Sequence, residues 1–153
     1  MAFVIAFGLS LMFAFGSERC HGKGFFFYFF SICSVLSVSV LNGIRDYSIG
    51  TDIKVYGKQI FEDAVYARSF ADFIEQCNRI GMTEYGYAIF NYLISIFTNN
   101  LHVFLFIVGI IVNGAFFYCC LRLRNVANLN FMWSAYLFLF YATTLNLLRQ
   151  SIA

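Results

Sequence analysis

Three long stretches of this chain carry no formal charge, and that restricts its fold more than any other feature. Residues 24–43 ("GFFFYFFSICSVLSVSVLNG"), 101–121 ("LHVFLFIVGIIVNGAFFYCCL") and 127–148 ("ANLNFMWSAYLFLFYATTLNLL") contain no Asp, Glu, Lys or Arg. A membrane-spanning helix needs about 20 predominantly apolar residues. Inside a bilayer every backbone polar group must be satisfied within the protein, because no water is there to do it. A fourth stretch, residues 2–16 within "MAFVIAFGLSLMFAFG", is slightly short. It lacks the basic start of a signal peptide, and the "GSERCHGK" that follows is not a small-residue cleavage site. The expected fold is therefore all-α, a polytopic transmembrane bundle with spans at about 2–16, 24–43, 101–121 and 127–148. Composition agrees: 61% of residues are hydrophobic and 12% are charged, where a soluble domain carries about 25% charged residues.

The remaining charge is arranged by side. Arg19 and Lys23 lie in the first short loop, and Arg122 and Arg124 in the last. Excess Lys and Arg mark cytoplasmic loops. Both loops are then cytoplasmic, and residues 44–100 are external. That segment holds five Lys and Arg against seven Asp and Glu, which fits an external location. The expected localisation is a membrane crossed several times, with residues 44–100 outside. A net charge of +2 without a basic run gives no nucleic-acid footprint. The five Cys show neither a disulfide framework nor a metal spacing. No internal repeat, low-complexity tract or domain linker is visible, so residues 1–153 read as one membrane domain.

Within the external segment, "YGKQIFEDAVYARSFADFIEQCNRIG" has helical periodicity. Tyr66, Phe70, Phe73, Ile74 and Cys77 share one face, while Arg68–Asp72 and Glu75–Arg79 are spaced as i,i+4 pairs on another. Gly81 is placed to end this helix, and Thr51 or Asp52 to begin it. A second helix is expected over Glu84–Thr98, with Thr83 as cap. It is short for a span and is expected to lie at the interface or re-enter, with Tyr85, Tyr87 and Tyr92 at headgroup level.

Two arginines, Arg45 and Arg149, fall at the external ends of spans. Arginine stays charged and presents a planar fork of donors that matches phosphate. A structural reading stands beside this one. Arg45 and Arg149 can be interfacial anchors, Asp52 a helix cap and Gly50 a turn residue. His21 reads as a solvated loop residue, and His102, at the start of a span, as a candidate acid or base. Asn113 and Asn146, polar groups in apolar runs, read as hydrogen-bonding across to other helices.

In order and spacing, "GIRDYSIGTDIKVY", "EYGYAIFNYLIS" and "LNLLRQSIA" resemble the EpsG family of membrane polysaccharide polymerases, related to the Wzy-type polymerases. The resemblance covers the chain from about residue 24 to Ala153. It departs at Tyr85, where the family often has proline. Family members are also much longer, so the resemblance implies that this chain is their N-terminal portion. It further implies joining of undecaprenyl-pyrophosphate-linked oligosaccharide repeat units at the outer face of the inner (cytoplasmic) membrane, without cofactor or metal. Arg45 and Arg149 would hold the pyrophosphate, Tyr56 and Gln150 would help bind substrate, and Asp52 and Glu84 would act as base or positioning groups. Expected partners are the bilayer, the lipid-linked oligosaccharide and other polysaccharide export and chain-length proteins. Two alternatives are a transporter or flippase, and an inactive truncated membrane protein of the same pathway. Transport favours charged groups deep within spans, and these spans carry no Asp, Glu, Lys or Arg, with Asn113 and small hydroxyl residues as the polar groups deep inside them.

Overall fold

The computed structural model describes residues 1–22, 24–46, 53, 57–82 and 84–146, Asn146 by its backbone alone. Every regular element among them is helical. Helices α1 (Ala2–Arg19), α2 (Phe25–Ile44) and α6 (Leu101–Leu123) are long and apolar enough to cross a bilayer. Three shorter helices, α3 (Lys58–Tyr66), α4 (Phe70–Arg79) and α5 (Tyr85–Ser95), lie between α2 and α6 in sequence; they sit outside the bundle of long helices and are external in that sense. A last helical run comprises α7 (Leu129–Ala135), a π-turn (Tyr136–Phe140) and α8 (Tyr141–Asn146). Asparagines begin the two later runs. The Asn100 side chain accepts from the N–H of His102, and that of Asn128 from Asn130 and Phe131.

The four runs alternate in direction. Ser10 meets Ser34 and Ser17 meets Ser31, so α1 and α2 are antiparallel. His102 meets Gly43 while Asn113 meets Ser39, so α6 returns along α2. Trp133 meets Ser10 and Tyr141 packs on Phe7, which sets α7 and α8 antiparallel to α1. The end of α2, the start of α6 and the end of α8 therefore share one end of the bundle, here the Arg45 end. Glu18, Arg19, Arg122 and Arg124 lie at the other.

Hydroxyls and amides link these helices. Ser10 and Ser34 each donate to the other's carbonyl, at 2.8 and 2.9 Å, and the Trp133 indole N–H donates to Ser10 Oγ at 2.9 Å. Asn113 donates to Ser39 Oγ at 3.1 Å and accepts from the Tyr136 hydroxyl at 2.7 Å, as expected for an amide facing another helix. The π-turn feeds this network. The N–H of Tyr141 bonds back five residues to the carbonyl of Tyr136. The wider turn keeps Tyr136 and Tyr141 on the same buried side, where regular α-geometry would rotate them apart.

The external helices pack into a second core around Phe61, Phe73, Tyr87 and Ala88, which continues onto Phe104, Leu105 and Val108 of α6. Here the sequence expectation needs correction. The long external helix is broken at Ala67–Ser69. Ser69 caps α4 by accepting from the N–H of Asp72 at 3.2 Å, and the Asp72 carboxylate accepts from the N–H of Arg68. Asp72 thus holds the backbone just before the cap instead of pairing with the Arg68 side chain. The break turns Tyr66 outward, 83% exposed, and leaves Phe70 exposed; Phe73 and Cys77 carry the buried face. Glu75 and Arg79 do pair, at 2.7 Å. Gly81, at φ 72°, ends α4 with the N–H of Met82 on the carbonyl of Cys77, a left-handed stop that suits glycine. Helix α5 ends at Ser95 rather than Thr98, and Tyr87 is fully buried instead of lying at a headgroup surface. Thr51, Asp52 and Thr83, the expected caps, lie outside the described residues.

Candidate functional site

Arg45 follows α2 directly, and its extended backbone (φ −65°, ψ 147°) stops the helix there. The side chain does not reach outward to water. It is 5% exposed, and its NH1 donates to the carbonyl of Leu145 at 3.0 Å. Carbonyls at a helix end have no intrahelical partner, and a cation there also complements the helix dipole. Arg45 thus closes the end of α8, one hundred residues away in sequence. Its Nε is buried, with no hydrogen-bond partner among the described residues. The phenols of Tyr141 and Tyr87 lie near enough to act on its charge, one from the bundle and one from the external layer. Burial pulls the guanidinium down to about 10, which leaves it protonated at neutral pH.

The surroundings of Arg45 are held in place. The Tyr141 hydroxyl lies 2.8 Å from the Val38 carbonyl and 3.0 Å from Asn42 Oδ1. Asn42 lies against Gly109, where any Cβ would collide with its amide. At Gly43 a Cβ would come within 3.0 Å of Phe106, so α2 and α6 approach closely beside Arg45. His102 Nδ1, 2.6 Å from the Gly43 carbonyl, ties the start of α6 to the end of α2.

Burying a charge is costly unless it is compensated. Among the described residues the ion pairs are Lys58–Glu62 and Glu75–Arg79, both exposed, and no carboxylate pairs with Arg45. A guanidinium has five N–H donors. Among the described residues the site therefore offers a fixed cation with donor capacity to spare, suited to an oxyanion. Glu84 stands immediately before α5, partly exposed, three residues from Tyr87. Asp52, Tyr56, Arg149 and Gln150 lie outside the described residues. Sequence reading did not single out Tyr141 and Asn42 and placed Tyr87 at headgroup level, since their roles depend on which helices meet.

At the opposite end the Arg124 guanidinium donates to His21 Nδ1 at 2.6 Å, and the Asn130 amide donates to Glu18. His21 is thus partnered as well as exposed. A cavity of about 210 Å³ lies among these residues. Among the described residues no three His, Cys, Asp or Glu side chains are grouped to hold a metal ion.

No curated protein and no solved structure matches the chain. The EpsG family model matches residues 27–153, from the first turn of α2 onward and including Arg45, and the chain belongs to the EpsG family, polysaccharide-biosynthesis membrane proteins with helices that cross the bilayer.

Proposed function

We propose that this chain acts as a polysaccharide polymerase of the inner membrane, joining lipid-linked oligosaccharide repeat units in exopolysaccharide, O-antigen or capsule synthesis. The observation that carries this reading is Arg45: a buried guanidinium at the membrane end of α2, with no carboxylate paired to it among the described residues. In the reaction an acceptor hydroxyl attacks the anomeric carbon of the donor sugar. The bond from that carbon to the undecaprenyl pyrophosphate breaks, and the pyrophosphate leaves with the electron pair. Negative charge develops on the leaving oxygen, and a fixed cation in a dry site stabilises it strongly. Arg45 fills that role, with Arg149 and Gln150 as further ligands and Tyr56 against the sugar. Asp52 or Glu84 takes the hydroxyl proton or positions the acceptor.

The positions of the charges support an outer-face reaction. Arg19, Arg122 and Arg124 share the end opposite Arg45, and basic short loops stay in the cytoplasm. Four spans with residues 44–100 outside satisfy that rule. The test is Arg45→Ala in cells that lack the native copy. Polymer should vanish while the protein remains in the membrane at normal abundance, and polymer of ordinary length would refute the assignment. For sidedness, Tyr66→Cys should react with an impermeant thiol reagent in intact cells while Cys20 does not. The opposite pattern would invert the topology.

A further inference from the structure

Beside the Arg45 end the molecule carries a second recess of different chemistry. It is about 710 Å³, against about 210–240 Å³ for the bundle grooves and the Glu18-end cavity. Small-molecule sites typically span about 300–1,000 Å³. One wall is α3, through Lys58, Phe61 and Glu62. The other is residues 96–101, the connection from α5 into α6. The tie between His102 and Gly43 places this connection at the same end of the bundle as Arg45.

The connection is ordered by its own side chains. Thr98 Oγ1 accepts from the N–H of Asn100 at 3.1 Å, and Asn100 Oδ1 accepts from the N–H of His102 at 2.8 Å. The Asn99 side chain makes no hydrogen bond to a described residue and is exposed, so its donors and acceptor remain available. Phe97, in the same wall, is 86% exposed and offers an aromatic face. The charged groups here, Lys58 and Glu62, pair at 3.7 Å and cancel. The recess therefore lacks the uncompensated cation that an anion needs. Amide donors and acceptors beside an exposed ring suit a ligand with many hydroxyls on one edge and C–H groups on a flat face.

We infer that this recess binds an uncharged sugar of the oligosaccharide, as a subsite separate from the pyrophosphate site at Arg45. This rests on the polymerase reading, and it divides the substrate chemically. The anionic end goes to the buried arginine, and the neutral sugar goes to the amide-lined recess.

The probe is repeat-unit oligosaccharide released by mild acid from the producing cell's own lipid-linked pool. It is offered to the full chain in lipid nanodiscs and followed by saturation-transfer NMR. Transfer to sugar protons is expected with the native chain and with Arg45→Ala. The Phe97→Ala/Asn99→Ala double variant should bind about tenfold more weakly or worse, as expected when stacking and a hydrogen bond are both lost. Both substituted residues are exposed, so retention of the Trp133 fluorescence spectrum checks that folding is intact. Absence of transfer to the native chain, or equal transfer to the double variant, would overturn the subsite. So would displacement of the sugar signal by added phospholipid alone, which would mark a headgroup groove. Failure of the polymerase reading is distinguishable, because it shows as normal polymer in Arg45→Ala cells whatever the sugar signals do.

Discussion

The bundle and the external layer are stabilised by different means. In the bundle the contacts between α1, α2, α6 and α7 centre on serines, asparagines, tyrosines and one tryptophan, hydrogen-bonded across helices. In the external layer they centre on Phe61, Phe73, Ile60 and Ala88, and among the described residues fewer side-chain bonds cross between helices, such as Ser95 to the Ala64 carbonyl and Tyr85 to Asn78. The difference fits the proposed placement, with the spans in lipid and the external layer in water. Lipid tails are as apolar as leucine, so burying leucine between spans contributes little and a polar contact supplies the specificity. In water the apolar core itself drives association. Helix α6 serves both: Phe104 and Leu105 face the external core, while Asn113 and Phe117 face the bundle. Arg45 sits where the two meet, under Tyr87 of one and Tyr141 of the other.

The largest expected effect follows from removing a ring from the external core. Phe73 is fully buried, and Phe→Ala in a core costs about 3–5 kcal/mol. Two probes separate the layers. Trp133, the sole tryptophan, reports the bundle, and Cys77, made the sole cysteine, reports the external layer. Cys77 is 2% exposed, and burial pushes its thiol up, so labelling in the native state should be slow. Phe73→Ala should speed Cys77 labelling by orders of magnitude and leave Trp133 emission unchanged. If both probes move together, the layers unfold as one unit and the comparison fails.

A middle effect is expected at the closest helix approach. Gly109→Ala puts a methyl where the Asn42 amide lies, and overpacking of this kind costs about 1–3 kcal/mol. The loss should appear in bundle stability measured by steric trapping in bicelles, and polymer yield should fall because Asn42 supports Tyr141 beside Arg45. Unchanged stability would mean that α2 and α6 separate freely at this point. Smaller still is Ser34→Ala. Hydrogen bonds between membrane helices average about 0.6 kcal/mol, so its cost in the same assay should be a fraction of that of Phe73→Ala in the external layer. A loss as large as Phe73→Ala would show that hydroxyl contacts dominate the bundle.

What the sequence disclosed divides along the same boundary. Three spans were legible because length and absence of charge are local properties, as was Gly81, whose left-handed conformation only glycine adopts easily. The break at Ala67–Ser69 was legible in principle, since Ser69 and Asp72 have capping-box spacing. The continuous apolar periodicity on either side masked it. Tyr87 was misplaced because tyrosine suits both a headgroup surface and a core, and only the packing of α5 on α3 decides between them. The π-turn left no signal in "YLFLF". At the site, Arg45 was legible as a span-end arginine. Its burial was not, because the carbonyl it meets belongs to Leu145, and nothing local links those positions.

The smallest expected effect concerns pH and belongs to the external layer alone. Asp63, partly buried on α3, has its carboxyl held above the ordinary 3.8, chiefly by burial and then by the neighbouring Glu62 charge. The folded state therefore binds this proton more tightly than the unfolded state does. Its contribution is fully present below the unfolded value and is lost as pH rises through the raised folded value. As pH rises from the ordinary 3.8 through the raised folded value, the external layer should lose a little stability that Asp63→Asn would not lose. Hydrogen exchange of α3 and α4 peptides, corrected for the intrinsic pH dependence of exchange, measures this directly. Other carboxylates titrate in the same range, so the informative quantity is the difference between variant and native chain. A difference that grows with pH in favour of Asp63→Asn places this carboxyl at the rim of the external core. A flat difference would mean that water reaches Asp63 as freely as in the unfolded chain, and that α3 packs less closely than the burial of Phe61 and Ala64 beside it requires.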